Sequence, residues 1–391
     1  MSLAWVFLEK LFAMSKDKIW LSSPHMGSEE FNNVQEAFAT NWISPAGPFI
    51  SLFEEKLAAY CGTKAAAVVQ SGTAAIHLAL HLLGVQQDDV VLCQSFTFVG
   101  SSNPILYQKA RPVFIDSEKE TWNICPLALE EAILACREKG QQPKAIIVVH
   151  LYGMPAKMPE IMALSHKYNI PVIEDAAEAL GSTINGKACG SFGDFGILSF
   201  NGNKIITTSG GGALLSNNQE AAAQARFLAT QAKDHAPHYE HSEMGYNYRM
   251  SNISAAIGVG QLSVLAQRVA ARRANYSFYQ TLLGEVKGVH FLPEPQGYFS
   301  NRWLSCVLID PSLTGGIGRE DVRLAMEKEN IECRPLWKPM HLQPLFQDAP
   351  YFGNHYSKEL FDLGLCLPSG SNLTDDQKQR IVNQLKNVFS L

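Results

Sequence analysis

At 391 residues the chain exceeds one ordinary hydrophobic core, so two domains are expected. Apolar residues make up 46% and charged ones 18%, a balance that argues against disorder. The net charge is only −5 and no basic stripe occurs, so nucleic acid is not an expected partner.

The chain opens on an apolar stretch, Met1 to Ala13, with Trp5, Phe7, Leu8, Leu11 and Phe12. It is too short to span a bilayer and has neither a basic n-region nor a small-residue cleavage site. Stable membrane insertion is therefore not expected. Met14-Ser15-Lys16 reads like a second start, so residues 1–18 are set apart as an extension. Residues 28–40 have helical spacing, with Ser28 as an N-cap, and residues 49–61 form a second amphipathic helix.

An alternating pattern follows. Strands are expected at 65–69, 89–93, 112–116, 145–151, 171–176, 195–200 and 213–216. Helices are expected at 74–83, 101–109, 127–138, 158–168 and 219–232. Continuous apolar strands alternating with helices predict an α/β fold, a mixed, mostly parallel seven-stranded sheet covered on both faces. Residues 235–250 read as a polar, aromatic loop and 251–273 as one long helix. Beyond about residue 285 the texture is that of a smaller α+β unit. The expected division is a large domain, 19–270, and a small C-terminal domain, 271–391. Eight scattered cysteines include no CxxC pair, so zinc is not expected; free thiols in a reducing cytoplasm explain them better than disulfides.

Lys204 stands out. It follows the apolar run Phe195–Phe200 and the turn Asn201-Gly202-Asn203, and precedes Gly210-Gly211-Gly212. A low-dielectric pocket disfavours an ammonium and leaves an amine for Schiff-base chemistry. Ser71-Gly72-Thr73 lies between a strand and a helix, where a helix N-terminus makes an anion site. Asp175 lies at a strand's carboxyl end, on the opposite face from Glu174, and can hold a cationic ring nitrogen. Phe98 is placed to stack on a planar group; Tyr152 has the same two readings, ring platform or core. In this order they supply what pyridoxal phosphate needs: a phosphate cradle, a ring platform, a pyridinium partner and a lysine.

Ser71-Gly-Thr-Ala-Ala, Ser95-Phe-Thr-Phe, Glu174-Asp-Ala-Ala-Glu-Ala-Leu-Gly, the segment Ser199 to Gly212 and Tyr246-Asn-Tyr-Arg-Met-Ser resemble the DegT/DnrJ/EryC1/StrS family. These are sugar aminotransferases of the fold type I, aspartate aminotransferase-like class, dependent on pyridoxal 5'-phosphate. The resemblance implies that Lys204 carries the cofactor as a Schiff base and moves the proton, and that Asp175 holds the ring nitrogen. It further implies phosphate ligands at Gly72, Thr73 and Ser199, a stacking ring at Phe98 and a ring contact from Glu178. Many relatives carry Gln or His at the position of Glu178. Asn247 matches a residue that reaches the neighbouring subunit's cofactor, implying a homodimer with shared sites.

Ser22-Ser-Pro-His-Met-Gly27, Asn301-Arg-Trp-Leu-Ser305 and Arg334 to His341 look most like the Pgl-type transaminases. Those aminate UDP-4-keto-6-deoxy-N-acetylglucosamine on the route to bacillosamine and protein glycosylation. L-Glutamate would be the donor, and Asn301, Arg302, Trp303 and His341 are candidate substrate contacts. Rival readings are a sibling enzyme acting at C3 or on a dTDP sugar, a sugar dehydratase with histidine in place of the lysine, and a cofactor-free scaffold.

Overall fold

The computed structural model describes residues 17–391; the stretch Met1 to Ala13 lies outside them. The seven expected strands are present as β1 (Ala65–Val69), β2 (Val90–Gln94), β3 (Arg111–Ile115), β4 (Ala145–Val149), β5 (Val172–Asp175), β6 (Phe195–Ser199) and β7 (Gly212–Ser216). An eighth, β8 (Tyr351–Phe352), comes from the C-terminal region and pairs with β3 at the edge. The order is β1-β7-β6-β5-β4-β2-β3-β8. All neighbours are parallel except β7, which runs antiparallel to both β1 and β6.

Strand residues alternate between two apolar layers, as a period of two requires. Val91 and Ile147 join Ile76 and Leu80 on one face; Leu92, Ile146 and Val148 join Leu129 and Ile133 on the other. Burial of both faces accounts for the continuous apolar runs. It also directs the chemistry to strand ends, where the chain leaves the core and polar side chains meet solvent.

Three helices precede β2: α1 (Glu29–Ala39), α2 (Pro48–Cys61) and α3 (Gly72–Leu82), of which α3 starts at the cavity described below. Ser28 occupies the α1 N-cap position, but its side chain makes no capping hydrogen bond. Residues 251–273, read as one helix, belong to two: α4 (Asn252–Ser263) and α5 (Leu265–Leu283), bent by 63° at Val264. Packing explains the break. On α4, Gly258 and Gly260 sit against Phe53 and Glu30, so this helix lies close on α1 and α2. On α5, Arg272 donates to the Trp303 carbonyl and the Tyr279 hydroxyl to the Pro368 carbonyl, turning that helix toward the C-terminal sheet.

That second sheet has four antiparallel strands, ordered Val289–Phe291, Ser305–Ile309, Gly364–Leu367 and Arg334–Pro335. The expected boundary at residue 270 thus falls inside α5. Ile19, expected to begin the large domain, bridges to Ile331 and joins the C-terminal apolar cluster. All eight cysteines are free thiols. Among the described residues no single helix is long and apolar enough to cross a membrane.

Candidate active site

The carboxyl ends of β1, β2, β4, β5 and β6 open onto a cavity of about 310 Å³. Its wall includes Gly72, Thr73, Phe98, Asp175, Glu178, Ser199, Lys204 and Trp303. Gly72, Thr73, Phe98, Asp175 and Lys204, singled out along the sequence, thus meet in space with Glu178, Ser199 and Trp303, which the resemblance implied.

Lys204 reaches the cavity from a turn closed by its own N–H on the Asn201 carbonyl (3.0 Å). Its side chain is 12% exposed. The ammonium lies 3.4 Å from Glu178 Oε1 and 4.3 Å from the centre of the Trp303 ring. Glu178 is held on its other oxygen by the Tyr152 N–H at 2.7 Å. Burial raises the Glu178 carboxyl above its ordinary range, and the Lys204 charge acts against that rise.

Asp175 and Glu174 diverge as the strand period requires. Asp175 faces the cavity, accepting from Ala177 N (3.1 Å) and from the Ser101 hydroxyl (2.7 Å). Glu174 is fully buried behind it, paired with His150 Nε2 at 3.0 Å and accepting from Gly190, Phe192 and Gly193 N–H. His150 Nδ1 accepts from Ala156 N, so the proton is on Nε2 and points at Glu174. Glu174 and His150 therefore hold a loop together and are not on the cavity wall.

The anion cradle is the first turn of α3. Ser71 caps it, its hydroxyl accepting from Ala74 N at 3.0 Å. Gly72 packs on Ser199, where an added Cβ would meet the Ser199 Cβ at 3.2 Å. The glycine run that follows Lys204 is divided in use. A Cβ on Gly212 would lie 2.4 Å from both Gly72 N and Ser71 C, so this glycine lets β7 pass against the cradle's backbone. Gly210 faces open space on the cavity wall. Phe98 stands at the mouth, 58% exposed and 6.1 Å from the Trp337 ring.

Other candidates lie elsewhere. Asn301 is fully buried: its amide donates to the Glu178 and Leu180 carbonyls and its oxygen accepts from Trp303 N. Every contact is to backbone, so it holds the Glu178 turn and has none left for a substrate. Arg302 is buried away from the cavity, over the Tyr276 ring at 3.8 Å and donating to the Leu292 carbonyl. His341 stacks on Tyr351 at 3.8 Å and bonds the Ser95 hydroxyl at 2.7 Å; burial lowers its imidazole to about 4. Asn247 is exposed and outside this chain's own cavity. Of the four suggested substrate contacts only Trp303 reaches the wall. Ser101, Thr97 and Trp337 also line it and escape sequence reasoning. Ser101 could have been suspected from its place four residues after Thr97 in a strand-end turn.

A buried lysine, a strand-end carboxylate and a glycine-lined helix N-terminus around one cavity define an enzyme built to hold a phosphorylated, cationic ring. The residues fit pyridoxal phosphate: the cradle beside Ser199 is tight at residue 72, where a Cβ would meet the Ser199 Cβ at 3.2 Å, and the donors and acceptors match its phosphate and ring nitrogen in charge. The chain belongs to the DegT/DnrJ/EryC1/StrS aminotransferase family, whose model matches residues 24–386. It is 54% identical over 376 residues to a Bacillus subtilis protein provisionally named the pyridoxal phosphate-dependent aminotransferase EpsN, covering 95% of this chain and 96% of that one. It is 35% identical to the GDP-perosamine synthase of Caulobacter vibrioides, over 95% and 98% of the two chains. The crystal structure of the aminotransferase TlmJ from Streptoalloteichus hindustanus superposes with a TM-score of 0.88 at 29% identity, over 95% and 99%. The protein is a pyridoxal phosphate-dependent sugar aminotransferase.

Proposed function

We propose that the protein moves an amino group from L-glutamate to C4 of a nucleotide-activated 4-keto-6-deoxy sugar. The observation that carries this is the convergence of Lys204, Asp175 and the Ser71–Thr73 cradle on one cavity. Bound there, pyridoxal phosphate supplies an aldehyde and an electron-withdrawing ring through which an amine is exchanged. Lys204 is the residue to hold that aldehyde and then to move the proton between donor carbon and cofactor. Asp175 would hold the positive charge on the ring nitrogen, and Gly72, Thr73 and Ser199 would hold the phosphate. Before the cofactor is bound, Glu178 Oε1 lies 3.4 Å from the Lys204 amine. Phe98, at the cavity mouth, would stack on the ring, and Trp303 walls the lysine at 4.3 Å.

As nucleotide sugar we take UDP-4-keto-6-deoxy-N-acetylglucosamine, leading to bacillosamine and glycosylation. Its support is the resemblance of residues 22–27, 301–305 and 334–341 to that subgroup. A GDP-linked keto sugar is the second reading, favoured by the likeness to GDP-perosamine synthase. The large and small units are taken to close the cavity between them, since Trp303 and Trp337 complete its wall. A homodimer with shared sites is supported by the exposed Asn247, and a cytoplasmic location by the eight free thiols.

The test is amination of UDP-, GDP- and dTDP-linked 4-keto-6-deoxy sugars with glutamate, reading 2-oxoglutarate release and the position of the new amine. Highest kcat/KM on the UDP sugar with the amine at C4 is expected. A GDP or dTDP preference, or amination at C3, overturns the substrate assignment. Lys204→Ala should abolish both turnover and the visible absorption of the bound cofactor; retained turnover would sink the role given to the lysine.

A further inference from the structure

Asp175 does not stand alone at the end of β5. Its Oδ2 accepts from the Ser101 hydroxyl at 2.7 Å, and the Ser101 oxygen lies 2.7 Å from Thr97 Oγ1. A serine hydroxyl carries one proton. Ser101 spends it on Asp175, so Thr97 must donate to Ser101. Two hydroxyl protons therefore run in line toward one carboxylate oxygen, while the Ala177 N–H takes the other oxygen. Ser101 and Thr97 are each about 99% buried, so both bonds are shielded from bulk water. Hydrogen bonds in such a chain polarise one another in a low-dielectric setting. Both hydroxyls lie in the turn after β2, and Ser101 is 74 residues from Asp175 along the chain.

We propose that Ser101, backed by Thr97, is a positioning residue that sets the rotation of the Asp175 carboxylate and the strength with which it holds the cofactor's ring nitrogen. The proposal rests on the reading of Asp175 given above. A purely structural hydroxyl pair would keep the turn folded and leave the cofactor's properties untouched.

The experiment titrates cofactor-free protein with pyridoxal phosphate and then follows the visible spectrum of the loaded protein against pH. Losing one hydrogen bond to a charged acceptor should weaken cofactor binding about tenfold. Ser101→Ala is expected to do so and to displace the spectral pH midpoint, with Asp175→Asn displacing it further in the same direction. Thr97→Val, which keeps the Ser101–Asp175 bond, should give a smaller change of the same sign. If Asp175→Asn is impaired while Ser101→Ala matches the wild type in both readouts, the proposal falls alone. If Asp175→Asn is itself silent, the reading of Asp175 falls and takes the proposal with it. Should Ser101→Ala fail to fold, Thr97→Val decides: an unchanged affinity and midpoint overturn the idea.

Discussion

Glu178 has two conflicting neighbours, and their balance makes a prediction about both stability and activity. Burial drives its carboxyl upward in pKa, and the Lys204 ammonium only partly offsets this. A carboxyl raised above its unfolded value costs stability once pH passes above the unfolded value, because the folded state then binds more protons than the unfolded one. Glu178→Gln imitates the neutral form. The cofactor-free variant should therefore unfold at a higher temperature than the wild type at pH 7.5, and the gap should shrink as pH falls toward 5. Turnover should drop, since Lys204 loses its carboxylate. A variant less stable than the wild type at pH 7.5 would show that the pair with Lys204 outweighs burial. This residue-scale detail was only half legible in the sequence. A strand-end Asp, a lysine after a turn and a Ser-Gly-Thr before a helix carry their chemistry in local context. The Ser101–Asp175 and Tyr152–Glu178 contacts do not, because the partners are 74 and 26 residues apart and only the sheet joins them. Asn301 and Arg302 misled for the converse reason: polar side chains look available in a sequence, whereas here each satisfies buried backbone carbonyls.

At the scale of elements, the missing side chain of Gly212 lets β7 lie close against the start of α3. A methyl group there would meet the backbone of Ser71 and Gly72 at 2.4 Å, and backbone cannot swing aside as a side chain can. Gly212→Ala should cost about 1–3 kcal/mol of stability, the usual range for overpacking. It should also weaken phosphate-dependent cofactor binding, because the cradle moves with β7. Gly210→Ala, two residues away in open space, should leave unfolding almost unchanged. Denaturant titration of the two variants checks the contrast; equal losses would show that the run is merely flexible. The strands were readable to within two residues because each is built on a short apolar run with turn residues nearby. The bend at Val264 was not, since the Ala/Gly/Leu texture of 251–273 continues through it. That break follows from packing α4 on the helices α1 and α2 and α5 toward the C-terminal sheet, and no local signal marks it.

For the whole molecule, the position of Asn247 is the informative fact. It is exposed, outside its own cavity, yet its segment is firmly held: Tyr248 N–H bonds the Ala229 carbonyl, and Arg249 pairs with the buried Glu54 and bonds the Val68 carbonyl of β1. A rigid support for a side chain that touches nothing in its own site is what a contribution to another copy's site requires. The proposed sharing of sites between two subunits is open to a decisive complementation experiment. Lys204→Ala disables the cavity of the chain that bears it, whereas Asn247→Ala would disable the cavity of the partner. In a mixed dimer both defects fall on one site, that of the Lys204→Ala chain, and the other site is intact. Mixing the two inactive variants under subunit exchange should therefore restore activity, approaching one quarter of the wild-type value for random equimolar pairing if Asn247→Ala alone is inactive: half the dimers are mixed, each with one of two sites whole. Were Asn247 to serve its own chain, every site in the mixture would keep a defect and no activity would return.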